Sequence, residues 1–83
     1  MVYHSRQWHV LHMARTNLQQ KLGKKIKTLR NEAGLSQEQL GELTDLDRTY
    51  ISDIERGKRN PSLKSLEKLA KALKISISDI TNF

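Results

Sequence analysis

Residues 35–54 read LSQEQLGELTDLDRTYISDI, and this stretch states the same helix-start signal twice. Ser36 can accept from the backbone N–H three residues on, and Gln39 stands where its side chain can return the bond to Ser36. Leu35 before the cap and Leu40 after it form a hydrophobic staple. Asp47 repeats the device, with Leu46 and Ile51 as its staple. Working outward, Ser76 with Asp79 makes a third such start, stapled by Ile75 and Ile80, and Ser62 caps a run in which Leu66, Leu69, Ala70 and Leu73 share one side. Upstream, Leu18, Leu22, Ile26 and Leu29 follow helical spacing until Ala33 and Gly34 stop the pattern. No stretch alternates apolar and polar residues as a strand requires. The chain is predicted to be all-α, with five helices, the first three at about 17–32, 36–44 and 47–56.

The second and third helices are short, and only Asp45 and Leu46 separate them, so they must cross steeply. Gly41 sits where a side chain would obstruct that crossing. This is a helix-turn-helix, whose second helix presents its first turn to a DNA major groove. Leu46, Ile51 and Ile54 bury one face of that helix. Arg48, Thr49, Tyr50, Ser52 and Asp53 are left pointing elsewhere, three of them crowded into the first turn, where hydrogen-bonding groups suit base edges.

The totals agree with a polyanionic partner. Fifteen Lys and Arg against nine acids give the 83-residue chain a formal charge of +6 and a pI near 9.9. A chain this short makes one small domain, and a partner subunit would help it bury surface. The absence of cysteine excludes disulfides, thiolate metal sites and a cysteine nucleophile, and fits the cytosol. No window approaches the roughly 18 apolar residues of a membrane span, so a soluble, cytoplasmic protein is expected.

The run GLSQEQLGELTDLDRTYISDIERGKRNPSLKSLEKLAKAL, residues 34–73, resembles the Cro/C1-type (XRE-like) helix-turn-helix regulators, with a lambda-repressor-like DNA-binding domain. The likeness spans about Leu18 to Phe83, and LDRTYISDIERGKRN is most similar to the controller proteins of restriction-modification systems. One departure is Asp45, where the family usually has Gly. Asp tolerates a left-handed residue better than most, so the turn is expected to survive.

The resemblance implies Gln37 on a DNA phosphate, Arg48 and Thr49 on base edges, and Tyr50, Ser52 and Asp53 at neighbouring positions facing DNA. Their chemistry agrees: a guanidinium fork can donate to guanine N7 and O6, and a Thr methyl can touch a thymine methyl. Lys58, Arg59 and Asn60 would meet the DNA backbone and set register. Tyr50 has a second reading, with its ring on the domain's own surface, and Asp53 either accepts from a cytosine amino group or holds a neighbouring arginine. Arg30 and Glu55 match a salt bridge that ties the first helix to the third in related proteins, a structural role.

His4, His9 and His12 have no acidic or cysteine companion and no zinc spacing, so no metal or other cofactor is expected. Trp8 and Leu11 continue the first helix's spacing upstream. Residues 1–16 are thus an added helical turn or two, a flexible arm, or an upstream extension with Met13 as an alternative start, ahead of a domain at 17–83. The helix lysines read mainly as solvated faces. Catalysis by Ser, His and Asp is not expected, because the histidines lie in the least structured segment and no phosphate loop or small-molecule pocket is evident. No helix suits a membrane surface.

The domain core is expected from Leu22, Ile26, Leu29, Leu40, Leu43, Ile51, Ile54, Leu66, Leu69 and Leu73. That leaves Ile77 and Phe83 as anchors for a homodimer on a palindromic operator in double-stranded DNA. The expected function is a dimeric, sequence-specific transcription regulator, repressor or activator. The alternative is an antitoxin-type regulator that also binds a partner toxin.

Overall fold

The computed structural model describes residues 2–83, with side chains from Asn17 onward. Five helices follow in order: α1 (Val2–Glu32), α2 (Gln37–Thr44), α3 (Arg48–Glu55), α4 (Leu63–Leu73) and α5 (Ile77–Ile80). Helix α1 packs on α3 and α5, α2 on α3 and α4, and α4 on α5.

The first helix begins well before the expected residue 17. Residues 2–16 contain neither Gly nor Pro, so nothing in that stretch interrupts the helix that Leu18 to Leu29 stabilise. The side chains of His4, Trp8, His9, Leu11 and His12, on which the metal and packing questions turned, lie outside the described residues.

The start signals form as read. The Ser36 hydroxyl accepts from the Gln39 N–H at 3.0 Å, and the Gln39 side-chain Oε1 accepts from Ser36 N–H at 2.8 Å. Asp47 accepts from Thr49 N–H at 2.7 Å, and Ser62 caps α4. Ser76 and Asp79 close a second reciprocal box around α5. The stops are equally local. Gly34, Asp45, Gly57 and Lys74 all adopt left-handed backbone, with φ of 72°, 58°, 73° and 58°. In each case the next residue's N–H reaches back to a carbonyl of the last turn: Leu35 to Arg30, Leu46 to Gly41, Lys58 to Asp53, and Ile75 to Ala70. Asp45 thus makes the turn that usually employs Gly.

Ile26, Leu40, Ile51, Ile54, Leu69, Ala70, Leu73 and Ile80 form the buried core, flanked by Leu22, Leu29, Leu35, Leu46, Leu66, Ile75 and others. Two expectations need correction. Leu43 is not a core residue but 61% exposed, because α2 turns Leu40, Gly41 and Thr44 inward instead. Thr44 tolerates that position because its hydroxyl donates to Leu40 O at 2.7 Å. Ile77 is not left over at the surface either; it is half-buried against the core, whereas Phe83 is 51% exposed.

Two glycines permit close backbone approach. A Cβ on Gly41 would come within 2.8 Å of Leu46 O, so the α2–α3 crossing excludes a side chain there. Gly23 was not singled out in the sequence. A Cβ there would lie 2.8 Å from Glu55 O and closer still to Ile54 O, so α1 rests directly on the end of α3.

Candidate nucleic-acid interface

Asp47 fixes the start of α3 with its Arg48 and Thr49 side chains exposed and Ser52 and Asp53 half-buried beside them. The other end of α3 is held from beneath. Arg30 Nε donates to Glu55 Oε2 at 2.7 Å and Nη2 to Oε1 at 3.0 Å, while Nη1 donates to Leu35 O at 2.8 Å. The Glu55 side chain is only 2% exposed. Its hydrogen bonds hold the Arg30 guanidinium above its ordinary pKa against the opposing effect of burial, and its charge adds to them. One ionic contact therefore joins α1, the turn before α2 and the last residue of α3.

Gln37 enters the same network. Its side-chain Nε2 donates to Glu55 Oε1 at 3.1 Å. An amide nitrogen carries two hydrogens, so this bond orients Gln37 and leaves a second N–H for another acceptor.

Tyr50 packs its ring on the domain's own surface, one of the two readings open to it. Its ring is partly buried against the core, its hydroxyl donates to Ser65 Oγ at 3.1 Å, and the same oxygen accepts from Ser62 N–H at 3.2 Å. The hydroxyl is thus bonded within the domain, to the residue that caps α4 and to Ser65 in its first turn. Asp53 accepts from Arg56 Nη2 at 2.8 Å, which is the neighbouring-arginine reading. Arg56 was missed as its partner, though the i, i+3 spacing was a signal for the pair.

Lys58, Arg59 and Asn60 are exposed on the loop after α3, and the Arg59 guanidinium carbon lies 5.1 Å from the Tyr50 ring centroid. Arg48 itself lines, with Glu38, Glu42, Asp45 and Asp47, a cleft of about 400 Å³ beside the α2–α3 turn. The start of α3 therefore carries its cation among carboxylates, whereas the loop after α3 carries two exposed cations, Lys58 and Arg59. Among the described residues, no group of three or more His, Cys, Asp or Glu is placed to hold a metal ion, and no helix is long and apolar enough to cross a membrane.

Known proteins resemble this chain in sequence and in fold. Residues 26–80 match the helix-turn-helix family model HTH_3. The control protein C.BamHI of Bacillus amyloliquefaciens is 46% identical over 68 residues, covering 81% of this chain and 84% of that protein. The control protein C.MunI of a Mycoplasma species is 51% identical over 61 residues, covering 72% and 82%. Among solved structures, the restriction-modification controller protein C.AhdI from Aeromonas hydrophila superposes with a TM-score of 0.73 at 45% identity, covering 75% of this chain and 94% of that one. With α2 and α3 each capped and in close approach at Gly41, and with the first turn of α3 exposed, the chain belongs to the helix-turn-helix family HTH_3 of DNA-binding transcription regulators.

Proposed function

We propose that a homodimer of this chain reads a palindromic operator and controls restriction-modification genes, acting by binding and not by catalysis in the cytoplasm. The observation that carries the reading is the pairing of an exposed Arg48 and Thr49 at a capped helix start with a buried Arg30–Glu55 anchor at the other end of the same helix. Arg48 is assigned to a guanine edge and Thr49 to a thymine methyl, with Ser52 and Asp53 beside them. Gln37, Lys58, Arg59 and Asn60 are assigned to phosphates, which fix register without reading sequence. The likeness to control proteins supports the gene context. Residues 17–83 serve as the DNA-binding and dimerisation domain, with residues 1–16 as an extension of it.

Two copies joined through Phe83, with Ile77 contributing at its edge, would set the recognition helices about 34 Å apart, one DNA turn. The exposed Phe83 supports this interface. A second reading, an antitoxin-type regulator that also holds a partner protein, draws on one observation, the exposed Leu43 beside α4.

The test is binding of wild type and Arg48→Ala to a duplex selected in vitro by the wild type and to a scrambled duplex. Arg48→Ala is expected to cost about 1–3 kcal/mol on the selected duplex and to relax preference at one base pair. Equal weakening on both duplexes would refute base reading by Arg48.

A further inference from the structure

We infer that Tyr50 is a positioning residue, whose hydroxyl latches the Gly57–Pro61 loop to the recognition helix and whose ring seats Arg59 for a phosphate. The inference rests on the DNA-binding reading above and adds a role that lies inside the domain.

The loop is pinned at both ends. At its entry, Lys58 N–H donates to Asp53 O at 2.9 Å and Gly57 N–H to Ile54 O at 3.0 Å, which ties the first two residues to the end of α3. At its exit, the Ser62 N–H donates to the Tyr50 hydroxyl. Ser62 caps α4, so this N–H belongs to no helical ladder, and the phenol oxygen supplies its partner. The phenol proton in turn goes to Ser65 Oγ, which also accepts from Ser62 Oγ at 2.9 Å. Ser65 is 7% exposed, so the anchor at the far end of this chain of hydroxyls is out of reach of DNA.

Between the pins stand Lys58, Arg59 and Asn60. The Arg59 guanidinium lies over the Tyr50 ring, and no carboxylate among the described residues pairs with it. A guanidinium held by its face keeps its N–H groups in their own plane, available to a phosphate. The phenol carries the imprint of these partners. Burial pushes its pKa up, yet the hydrogen bonds to Ser65 and Ser62 and the Arg59 charge together bring it below the ordinary phenol value. Without the latch, the loop would have to be ordered when DNA binds, which weakens association whatever the base sequence.

The hydroxyl gives its one proton to Ser65 Oγ and accepts from the Ser62 N–H, both within the domain. Tyr50 therefore links two functions of the site. It stands in the first turn of α3, next to the base-reading Arg48 and Thr49, and from there it sets where the phosphate contacts fall.

The experiment uses the full chain as wild type, Tyr50→Phe, Ser65→Ala, Arg59→Ala and the Tyr50→Phe, Arg59→Ala double variant. Two measurements are made: amide hydrogen exchange at Ser62 without DNA, and affinity for the selected and scrambled duplexes. Tyr50→Phe and Ser65→Ala should both speed Ser62 exchange and weaken binding to the two duplexes alike, by roughly 3- to 10-fold, the range one intramolecular hydrogen bond supports. In the Arg59→Ala background the added effect of Tyr50→Phe should shrink. Unchanged Ser62 exchange in Tyr50→Phe overturns the latch. A Tyr50→Phe defect confined to the selected duplex, with Ser65→Ala binding as wild type, also overturns it and makes the hydroxyl a base reader. A wild type that prefers neither duplex would refute the DNA-reading function instead, and Ser62 exchange alone would then decide the latch.

Discussion

Replacing Arg30 with Met tests the anchor beneath the recognition helix. The substitution keeps most of the aliphatic stem but removes three hydrogen bonds, two to Glu55 and one to Leu35 O. Glu55, with its side chain 2% exposed, is left charged with only the Gln37 amide for company. Stranding a buried partner in this way costs about 3–5 kcal/mol. A domain of this size has only about 4–12 kcal/mol of stability in total. The melting temperature should therefore fall by about 12–40 °C, at about 4–8 °C per kcal/mol. The Arg30→Met, Glu55→Met double variant removes both charges and should recover most of that loss, because the pair's net contribution is far smaller than the cost of breaking it. Glu55 holds the Arg30 pKa above a value that is already high. A raised folded-state value stabilises at every pH below the unfolded one, so the Arg30→Met loss should be present throughout the working range. Thermal melts followed by far-ultraviolet circular dichroism give the answer. An Arg30→Met protein melting within about 4 °C of wild type, less than about 1 kcal/mol, would refute the reasoning.

Gly23→Ala should destabilise by about 1–3 kcal/mol, since its Cβ meets the carbonyls of Ile54 and Glu55; a urea midpoint that rises, as helix propensity alone would give, counts against that close approach. Lys74→Gly should stabilise by about 0.5–1 kcal/mol, because relief of the left-handed strain at φ 58° exceeds the extra freedom of the unfolded chain, and an unchanged melting temperature would deny that strain. Phe83→Asp should convert a sedimenting dimer to monomer at micromolar concentration without loss of helix. Ile77→Asp should also lower stability, since that residue is partly in the core, and a Phe83→Asp dimer would exclude the proposed interface.

The parts of the fold that were legible in the sequence are those governed by neighbours. Ser36, Asp47, Ser62 and Ser76 announce their helices because a cap needs only a few residues, and Asp45 shows its turn because few residue types accept a left-handed backbone. What was not legible depended on distant partners. The sequence offered no sign that Gly23 lies under the end of α3, because the contact joins residues far apart in the chain. Leu43 looked like core by composition, but the choice between it and Thr44 depends on how α2 is rotated against α4. Tyr50 had two readings that local sequence cannot separate, since the partners of its hydroxyl, the Ser62 N–H and Ser65 Oγ, lie 12 and 15 residues on. The start of α1 was left open for another reason: a helix without a stop signal continues, and stops are read more readily than their absence.

Each helix boundary from Gly34 to Thr81 is closed by residues no more than five positions apart. These bonds can form while the rest of the chain is still unfolded, so the search for the native state begins with its segments already delimited. Helix–coil relaxation takes about 0.1–1 μs, and small helical domains complete folding in about microseconds to milliseconds. For a regulator built this way, folding adds nothing perceptible to the delay between reading a gene and acting on it. In the proposed dimer the timing of the switch falls instead to the accumulation of copies and their pairing, which scale with concentration. A change in expression level would therefore shift the moment of switching, whereas a change in folding rate of even a hundredfold would leave it where it was.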